Sequence, residues 1–284
     1  MLYSVIIPLH NEKDYIEKMI QSLINQSLQP QEIILIDDNS TDDSGLIIKK
    51  IEKQNKIVKA YKVISSDYHF PGSKVVNAFL YGAKKIKAKY DVIVKLDADI
   101  ILPIKYFETL SLEFNRKSVG IVGGYLYTKL EEGTWVLEHP MDKTHIRGAI
   151  KAYSKDCYKK IGGLRTSMGW DTIDEILAKY HGFEIIPIPK LKVLHLRPTA
   201  IRYSKIAARL QGEAFYKMRY GFLISLLSAL KNLYLKRKIK FFINIIWGLI
   251  NAYFKKPSFI VSNEEGKFIR KYRMKNIIRK IHQV

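Results

Sequence analysis

Short apolar runs of strand length alternate with segments of helical periodicity over the first hundred residues. The predicted strands are 3–8, 32–36, 58–64 and 92–96, and the predicted helices are 13–25, 45–54 and 74–87. Strands that are separated by helices form a mostly parallel sheet with both faces covered. Ligands of such sheets bind beyond the carboxyl ends of the strands, so a site is expected in the polar residues that follow each strand.

Beyond residue 100 the alternation is less regular, with a predicted helix at 104–115, a strand at 120–127, and a further helix and strand over 170–195. The composition changes after about residue 197. Long apolar stretches at 220–230 and 241–254 are then separated by a basic cluster. We therefore predict an α/β domain over 1–197, a boundary near Pro198, and a basic amphipathic helical region over 198–284.

The net charge of +21 is concentrated in the last third of the chain. Residues 196–284 contain 20 Lys or Arg against 3 Asp or Glu. The two apolar stretches offer 11 and 14 residues between charges, against about 20 for a helix that crosses a bilayer. This composition is typical of helices that lie in an anionic membrane interface. Packing on the first domain, a dimer interface and a re-entrant hairpin remain alternatives.

The single cysteine, Cys157, excludes an internal disulfide and a zinc site built on cysteine, which suits a reducing compartment. The N-terminus leads directly into the first predicted strand and shows no pattern of a secretion signal. We expect a peripheral or monotopic protein on the cytoplasmic side of the cell membrane.

Two carboxylates separated by one small residue, Asp97 and Asp99 around Ala98, follow the buried strand 92–96. Such a pair can reach one hard cation at oxygen distances of about 2.0–2.6 Å, and the cation can bridge to phosphate. The alternative is that both are solvated loop acids or helix caps. A second acidic segment, Asp37 to Asp42, follows strand 32–36, where Ser40 and Asp42 are expected to cap the next helix.

Together with the opening Ser4-Val-Ile-Ile-Pro-Leu-His-Asn-Glu12, these motifs resemble the donor-binding half of inverting family-2 glycosyltransferases over about residues 3–196. The resemblance implies a GT-A fold, which is a Rossmann-like, mixed but mainly parallel sheet with helices on both faces, here followed by a C-terminal helical extension. It divides the catalytic domain into a donor half, about 1–100, and an acceptor half, about 101–197.

By position, the resemblance also implies roles for individual residues. The nucleotide-sugar donor would contact Pro8, Leu9, Glu12, Asp38, Lys74, Asp97 and Asp99. Within this set, Asp38 would bind the base and Lys74 the phosphate or sugar. The divalent metal, Mg²⁺ or Mn²⁺, would be held chiefly by Asp99, with Asp97 and His195 as further candidate ligands. A lone histidine on an apolar strand can equally be a core residue.

In the acceptor half the resemblance rests on Arg147-Gly-Ala149, Tyr153 and the turn Gly162-Gly163. The family's Glu-Asp pair is replaced here by Trp170-Asp171. The catalytic base would then be Asp171, with Asp174 in reserve, whereas the alternative is that Asp171 caps a helix over 172–181. Nothing in the sequence assigns roles to Trp135, His139 and His145, which lie in a predicted loop at 129–147.

The function implied by the resemblance is metal-dependent, inverting transfer of a sugar from a nucleoside-diphosphate donor, most commonly a UDP-sugar, to a hydroxyl group. The acceptor would be a glycan or a lipid-linked glycan in cell-surface polysaccharide synthesis. A catalytically silent nucleotide-binding scaffold and a nucleotidyltransferase are alternatives. A nucleic-acid-binding protein is disfavoured, because the basic residues alternate with long aliphatic runs and no recognition motif appears.

Overall fold

The computed structural model describes residues 1–65, 72–138, 143–197 and 205–281. The chain forms two compact units. The first comprises the described parts of Met1–His69, Lys74–Leu164 and His181–Thr199, and the second comprises those of Phe70–Ser73, Arg165–Tyr180 and Ala200–Val284. The predicted boundary at Pro198 lies outside the described residues.

The first unit is built on one mixed sheet, which contains nine strands within the described residues. The strands are β1 Tyr3–Leu9, β2 Glu32–Asp38, β3 Val58–Val63, β4 Val92–Leu96, β5 Ile100–Ile101, β6 Val119–Lys129, β7 Trp135–Leu137, β8 Ile150–Ser154 and β9 Glu184–His195. Their order across the sheet is β3-β2-β1-β4-β8-β6-β9-β5, and β7 pairs with β6 at the side. The α/β fold predicted from the alternating pattern is confirmed.

Strands β1, β2 and β4 are buried along their whole length, as expected for central parallel strands that are covered on both faces. β1 lies between β2 and β4 and is parallel to both. The register pairs Leu9 with Asp37. The ends of these strands therefore lie at one edge of the sheet, which brings together the polar residues that follow them.

The second half of the sheet brings the end of β9 to the same region. β8 runs antiparallel to β4, β6 antiparallel to β8, and β9 parallel to β6. The short strand β5 pairs Ile100 with His195. The chain that follows Asp99 therefore runs directly beside the end of β9. This pairing makes Asp99 and His195 neighbours, although they are far apart in the sequence.

The helices of the first unit are α1 Ile16–Ile24, α2 Ser44–Gln54, α3 Ser73–Ala83, α4 Tyr106–Phe114 and α5 Lys155–Lys160. Two bounds differ from the predicted ones by three residues or more. α1 begins three residues later than predicted, because the carbonyl of Glu12 accepts the N–H groups of Tyr15 and Ile16 and closes a turn first. α3 ends at Ala83 rather than at residue 87, where the chain enters a turn.

The second unit is helical within the described residues and consists of α6 Trp170–Tyr180, α7 Lys205–Lys217, α8 Gly221–Lys236, α9 Ile239–Lys255 and α10 Asn263–Ile281. The apolar stretches predicted at 220–230 and 241–254 form α8 and α9. None of the helices in the described part of the chain has both the length and the apolar character needed to cross a membrane.

Helices α7 and α9 approach each other closely at two glycines. A Cβ atom on Gly212 would lie 2.0 Å from the carbonyl oxygen of Ile245, and one on Gly248 would lie 2.1 Å from that of Arg209. Both obstacles are backbone atoms, which a rotamer change cannot move. Only glycine permits this crossing.

Because of this close crossing, Gly248→Ala should destabilise the protein, although helix propensity alone would predict stabilisation. Alanine in an open helix would stabilise by about 1 kcal/mol, but overlap with backbone costs about 1–3 kcal/mol. We expect a lower free energy of unfolding in chemical denaturation followed by circular dichroism. Asn251→Ala, on a half-exposed position of the same helix, is the control and should be neutral or slightly stabilising. Equal stabilisation by both would contradict the close crossing.

Candidate active site

The loops that follow β1 and β2 are joined by side-chain hydrogen bonds. The backbone N–H of Asn11 donates to the hydroxyl of Ser40 at 3.0 Å, and the side-chain oxygen of Asn11 accepts the N–H of Thr41 at 2.8 Å. Asn11 has a positive φ of 56°, a conformation that asparagine adopts more readily than most residues. The N–H of Glu12 donates to the hydroxyl of Ser44 at 2.7 Å. These contacts fix the backbone that carries Glu12.

In the acidic segment after β2, Asp37 and Asp42 accept hydrogen bonds within the loop, whereas Asp38 accepts hydrogen bonds from Ser65, just after β3. Asp37 accepts the N–H of Ser40 at 2.9 Å, and Asp42 accepts the N–H of Ser44, the first residue of α2, at 3.0 Å. Asp42 thus accepts the first N–H of α2 from the position before the N-cap, which is Asp43 and makes no side-chain capping bond. The Ser40 hydroxyl accepts the Asn11 N–H instead. The Asp38 carboxylate accepts the N–H and the hydroxyl of Ser65 at 3.2 and 2.9 Å.

Asp97, the first acid of the triplet, forms an ion pair with Lys95 on the adjacent strand β4. The Lys95 side chain is only 2 % exposed, and a buried ammonium requires a partner of opposite charge. Lys95 lies opposite Lys151 of β8, which is also buried. The Asp97 carboxylate is thus already engaged in neutralising a lysine.

Asp99, the second acid, lies in a buried group with His195 and Glu138. The Nε2 atom of His195 lies 3.4 Å from Asp99 Oδ1, and Nδ1 of the same ring lies 2.8 Å from Glu138 Oε2. All three side chains are buried. The imidazole ring is therefore oriented by Glu138 on one side and directed at Asp99 on the other.

Arg197, two residues beyond His195, connects this group to the loop after β1. Its guanidinium lies 3.1 Å from Asp99 Oδ2 and donates a hydrogen bond to Glu12 Oε1. The second oxygen of Glu12, Oε2, is buried and has no hydrogen-bond partner among the described residues. Glu12, Asp99 and Glu138 thus lie among three cationic groups, which are Arg197, His195 and Arg147, whose guanidinium lies 3.7 Å from Glu138 Oε1.

The pKa values reflect this arrangement of charges. Burial alone would lower the pKa of His195, but the hydrogen bonds and charges of Asp99 and Glu138 outweigh burial and raise it to about 9. Burial and the neighbouring charge of Asp99 raise the pKa of Glu12 to about 7. Burial opposes ionisation of Asp99, yet contacts with His195 and Arg197 lower its pKa below the usual value.

The residues of this group suit a divalent metal only in part. Asp99 and His195 adjoin each other, and a histidine with its other ring nitrogen on a carboxylate is the common pattern at metal sites. Within the described ranges, however, no group of three or more His, Cys, Asp or Glu side chains is arranged to hold a metal ion. Two protein ligands match a cation that takes its other ligands from water and substrate phosphates.

The other predicted site residues that the structure describes lie on β1, α3 and α6. Pro8 and Leu9 are buried at the end of β1, and Lys74 is half-buried in the first turn of α3. Asp171 lies in the first turn of α6, one residue after the helix begins, so it does not occupy the capping position. Asp174 is buried on the same helix. His139 lies outside the described residues.

Three charged residues at or beside the site, Glu138, Lys95 and Arg197, carried no predicted role. Glu138 directly follows β7, so the prediction of a loop over 129–147 is wrong at Trp135–Leu137, and its contact with His195 spans 57 residues. A lysine within the apolar run of β4 was the available signal for Lys95. For Arg197 the available signal was a basic residue two positions after the candidate ligand His195; it lies in a bend just beyond the end of β9.

Residues 4–169 match the family model described as Glycosyl transferase family 2, which is more than half of the chain. The chain belongs to glycosyl transferase family 2. The match ends before α6, so Asp171, Asp174 and His195 lie beyond the matched residues. Glycosyltransferase GlyG of Streptococcus pneumoniae serotype 4 is 31% identical over 126 residues, which is 44% of this chain and 39% of GlyG. The chain spans about two fifths of the length of the curated relatives it matches.

Solved structures show the same fold. The S. aureus TarS 1–349 structure in complex with UDP-GlcNAc has a TM-score of 0.60 at 17% identity, covering 89% of this chain and 81% of that one. Mannosyltransferase PcManGT from Pyrobaculum calidifontis, in complex with GDP-Man and Mn²⁺, has a TM-score of 0.56 at 16% identity, covering 97% and 80%. The predicted GT-A fold is confirmed.

Because Glu12 and Asp99 both contact the Arg197 guanidinium, we expect the effects on stability of substituting Arg197 and Glu12 to be coupled. Arg197→Met leaves the buried carboxylates of Glu12 and Asp99 without the guanidinium. Because Arg197 is half exposed, we expect a loss of about 1–3 kcal/mol in unfolding free energy. Adding Glu12→Gln removes one of those carboxylates, so the double variant should lose about 0.5–3 kcal/mol less than the sum of the single variants.

Chemical denaturation of the four proteins in this cycle measures the coupling. Arg116→Met is the matched control, because Arg116 pairs with Glu113 and Glu184 on the exposed surface. That substitution should change stability by no more than about 0.5 kcal/mol. Strict additivity of Arg197→Met and Glu12→Gln would show that the guanidinium does not stabilise Glu12.

Proposed function

We propose that the protein is a metal-dependent, inverting glycosyltransferase that transfers a sugar from a nucleoside-diphosphate donor, most readily a UDP-sugar. The observation that carries this proposal is the adjacency of Asp99 and His195, with Glu138 behind the imidazole. The pair lies where β4 and β9 end, at the edge of the sheet where ligands of such folds bind. The TarS complex with UDP-GlcNAc, on the same fold, supports the choice of donor.

Asp99 and His195 would hold the metal, either Mg²⁺ or Mn²⁺. The Mn²⁺ in the PcManGT structure supports a divalent cation on this fold. When bound, such a cation stabilises the negative charge that develops on the departing diphosphate. His195 must give up a proton to act as a ligand, and Arg197 must share Asp99. The protein's part is to keep both ligands buried and oriented before the donor arrives.

Donor recognition would use the loops after β1 and β2. Asp38 would accept a hydrogen bond from the base, which requires its contacts with Ser65 to be shared or exchanged. Glu12, Pro8 and Leu9 would border the nucleoside. We assign Asp97 to ribose or sugar contacts, because Lys95 already neutralises its charge. Lys74 would contact the phosphate or sugar from the start of α3.

Asp171 is the proposed general base, which removes the proton from the acceptor hydroxyl as its oxygen attacks the anomeric carbon. The C–O bond to the acceptor forms as the bond to the diphosphate breaks, on the opposite face of the sugar. Asp171 is partly exposed, whereas Asp174 is 1 % exposed. This difference supports Asp171, because a base must reach the acceptor.

The acceptor we propose is a hydroxyl of a glycan or lipid-linked glycan at the anionic, cytoplasmic face of a membrane, in cell-surface polysaccharide synthesis. The basic last third of the chain supports this location. The same feature favours a lipid surface over nucleic acid, because aliphatic side chains separate the basic residues.

Metal-dependent binding of UDP should depend on Asp99 more than on Asp97. Asp99→Asn removes a ligand, so we expect metal-dependent UDP affinity to fall by about tenfold or more, whereas Asp97→Asn should weaken it less. Binding to the folded state raises the melting temperature, so thermal shift with UDP, with and without Mn²⁺, measures both.

Asp156→Asn, on an exposed residue at the start of α5, is the control and should leave the shift unchanged. A full Mn²⁺-dependent shift in Asp99→Asn would contradict the ligand assignment. The absence of a metal-dependent shift with any nucleoside diphosphate in the unmodified protein would contradict the proposed function itself.

Asp171→Asn should lower turnover by about 10²–10⁴-fold, the usual contribution of a general base. Binding of the UDP-sugar should remain within about twofold, since the base does not contact the diphosphate. Release of UDP from UDP-N-acetylglucosamine and UDP-glucose, with extracted membrane glycolipid as acceptor, measures turnover. Thr172→Ala, the next residue on the helix, should retain activity. If Asp171→Asn retains turnover, Asp171 is not the base.

A further inference from the structure

Helix α9 has two apolar faces with different environments. Its buried face, formed by Ile245, Gly248, Leu249 and Ala252, packs on α7 through the close glycine crossing. The opposite face is also apolar. A helix of a globular protein normally turns polar residues outward, so this second face requires an explanation.

The second face is a regular stripe of five exposed side chains, Ile239, Ile243, Trp247, Ile250 and Phe254, which we call the apolar stripe. Each is between 46% and 82% exposed. Their spacing of four, four, three and four residues places them on one side of an α-helix along its whole length. Isolated exposed apolar residues are ordinary, whereas contiguous ones mark an interaction surface.

The charges around the apolar stripe all have one sign. Arg237, Lys238 and Lys240 lie at the start of α9, and Lys255 and Lys256 lie at its end. From residue 214 to residue 263 the sequence contains nine Lys or Arg and no Asp or Glu. The partner of this surface must therefore be apolar opposite the middle of the helix and negatively charged opposite both ends.

We propose that the apolar stripe of α9 docks the protein on an anionic lipid surface, with the helix lying in the plane of the membrane interface. An anionic bilayer presents acyl chains beneath a negatively charged layer, which matches apolar side chains flanked by lysine and arginine. Because the buried face is committed to α7, only the apolar stripe is available to enter the lipid. Its axis then lies parallel to the surface.

The charges argue against a second copy of this chain as the partner. A two-fold interface places the same patch on both sides, and here it would bring together the basic ends of two α9 helices, whose surrounding sequence from 214 to 263 contains no acidic residue. Like charges in apposition oppose association. A lipid surface with negative headgroups gains from those same residues.

This inference depends on the proposed function in one respect, which is that docking would bring the enzyme to a membrane-bound acceptor. Its test measures lipid binding and nucleotide binding separately. Flotation with vesicles of phosphatidylcholine, with and without phosphatidylglycerol, reports lipid binding. We expect the full chain to bind the vesicles that contain phosphatidylglycerol, and to bind them severalfold less tightly at high salt.

The variant that tests the stripe combines Ile243→Gln, Ile250→Gln and Phe254→Gln and leaves Trp247, which stacks on Arg209, in place. Glutamine preserves helix propensity, and circular dichroism checks the fold. We expect vesicle affinity to fall by about tenfold or more, because three apolar side chains no longer leave water.

The matched control removes three apolar side chains of similar exposure from the first unit, with Leu46→Gln, Ile104→Gln and Leu112→Gln. It should float as the unmodified protein does. Equal flotation of the stripe variant and the unmodified protein would overturn the inference. So would a dimer in sedimentation that the stripe variant converts to monomer without any vesicle binding by either protein.

The UDP thermal shift separates this inference from the proposed function. Loss of flotation with an unchanged shift in the stripe variant supports the docking surface. Vesicle binding without any nucleotide shift in the unmodified protein would contradict the transferase and leave the surface standing.

Discussion

The constraint on which the candidate site depends is the gathering of carboxylates at one buried edge of a sheet. Glu12, Asp99 and Glu138 come from three separate segments, and each would be destabilised by burial as an unpaired anion. His195, Arg197 and Arg147 compensate them. His195 ends β9 and Arg197 follows two residues later in a bend, so a single segment delivers two of the cationic groups to the site.

The compensation is incomplete at Glu12. Three acids lie among His195, Arg197 and Arg147, yet one buried oxygen of Glu12 has no partner among the described residues. The raised pKa of Glu12, to about 7, has the same origin, because burial and Asp99 both oppose its ionisation. A divalent cation would relieve this repulsion. Asp97 is in a different situation, since Lys95 already balances it, so two acids separated by one residue have distinct electrostatic environments.

The sequence predicts the fold well because the apolar runs that define its strands are local. Apolar runs such as 92–96 identify central strands, and acids at their ends must then meet at one edge. Glu138 and Arg197 could not be assigned in this way, because their partners lie far away in sequence and only the strand order brings them together. The pairing of Ile100 with His195 is an example. Composition predicts neither that pairing nor the ion pair between Lys95 and Asp97.

The same distinction between local pattern and packing explains the C-terminal helices. The composition of 241–254 shows that the segment is apolar, but it does not show which face of the helix is buried. Gly212 and Gly248 decide that question, since their missing side chains let α7 and α9 meet at backbone distance and direct Ile245 and Leu249 inward. Trp247 and Phe254 are then directed outward by helical geometry alone. The close packing of one face thus creates the exposed apolar face on the other, and the basic residues at both ends determine the kind of surface on which that face can rest.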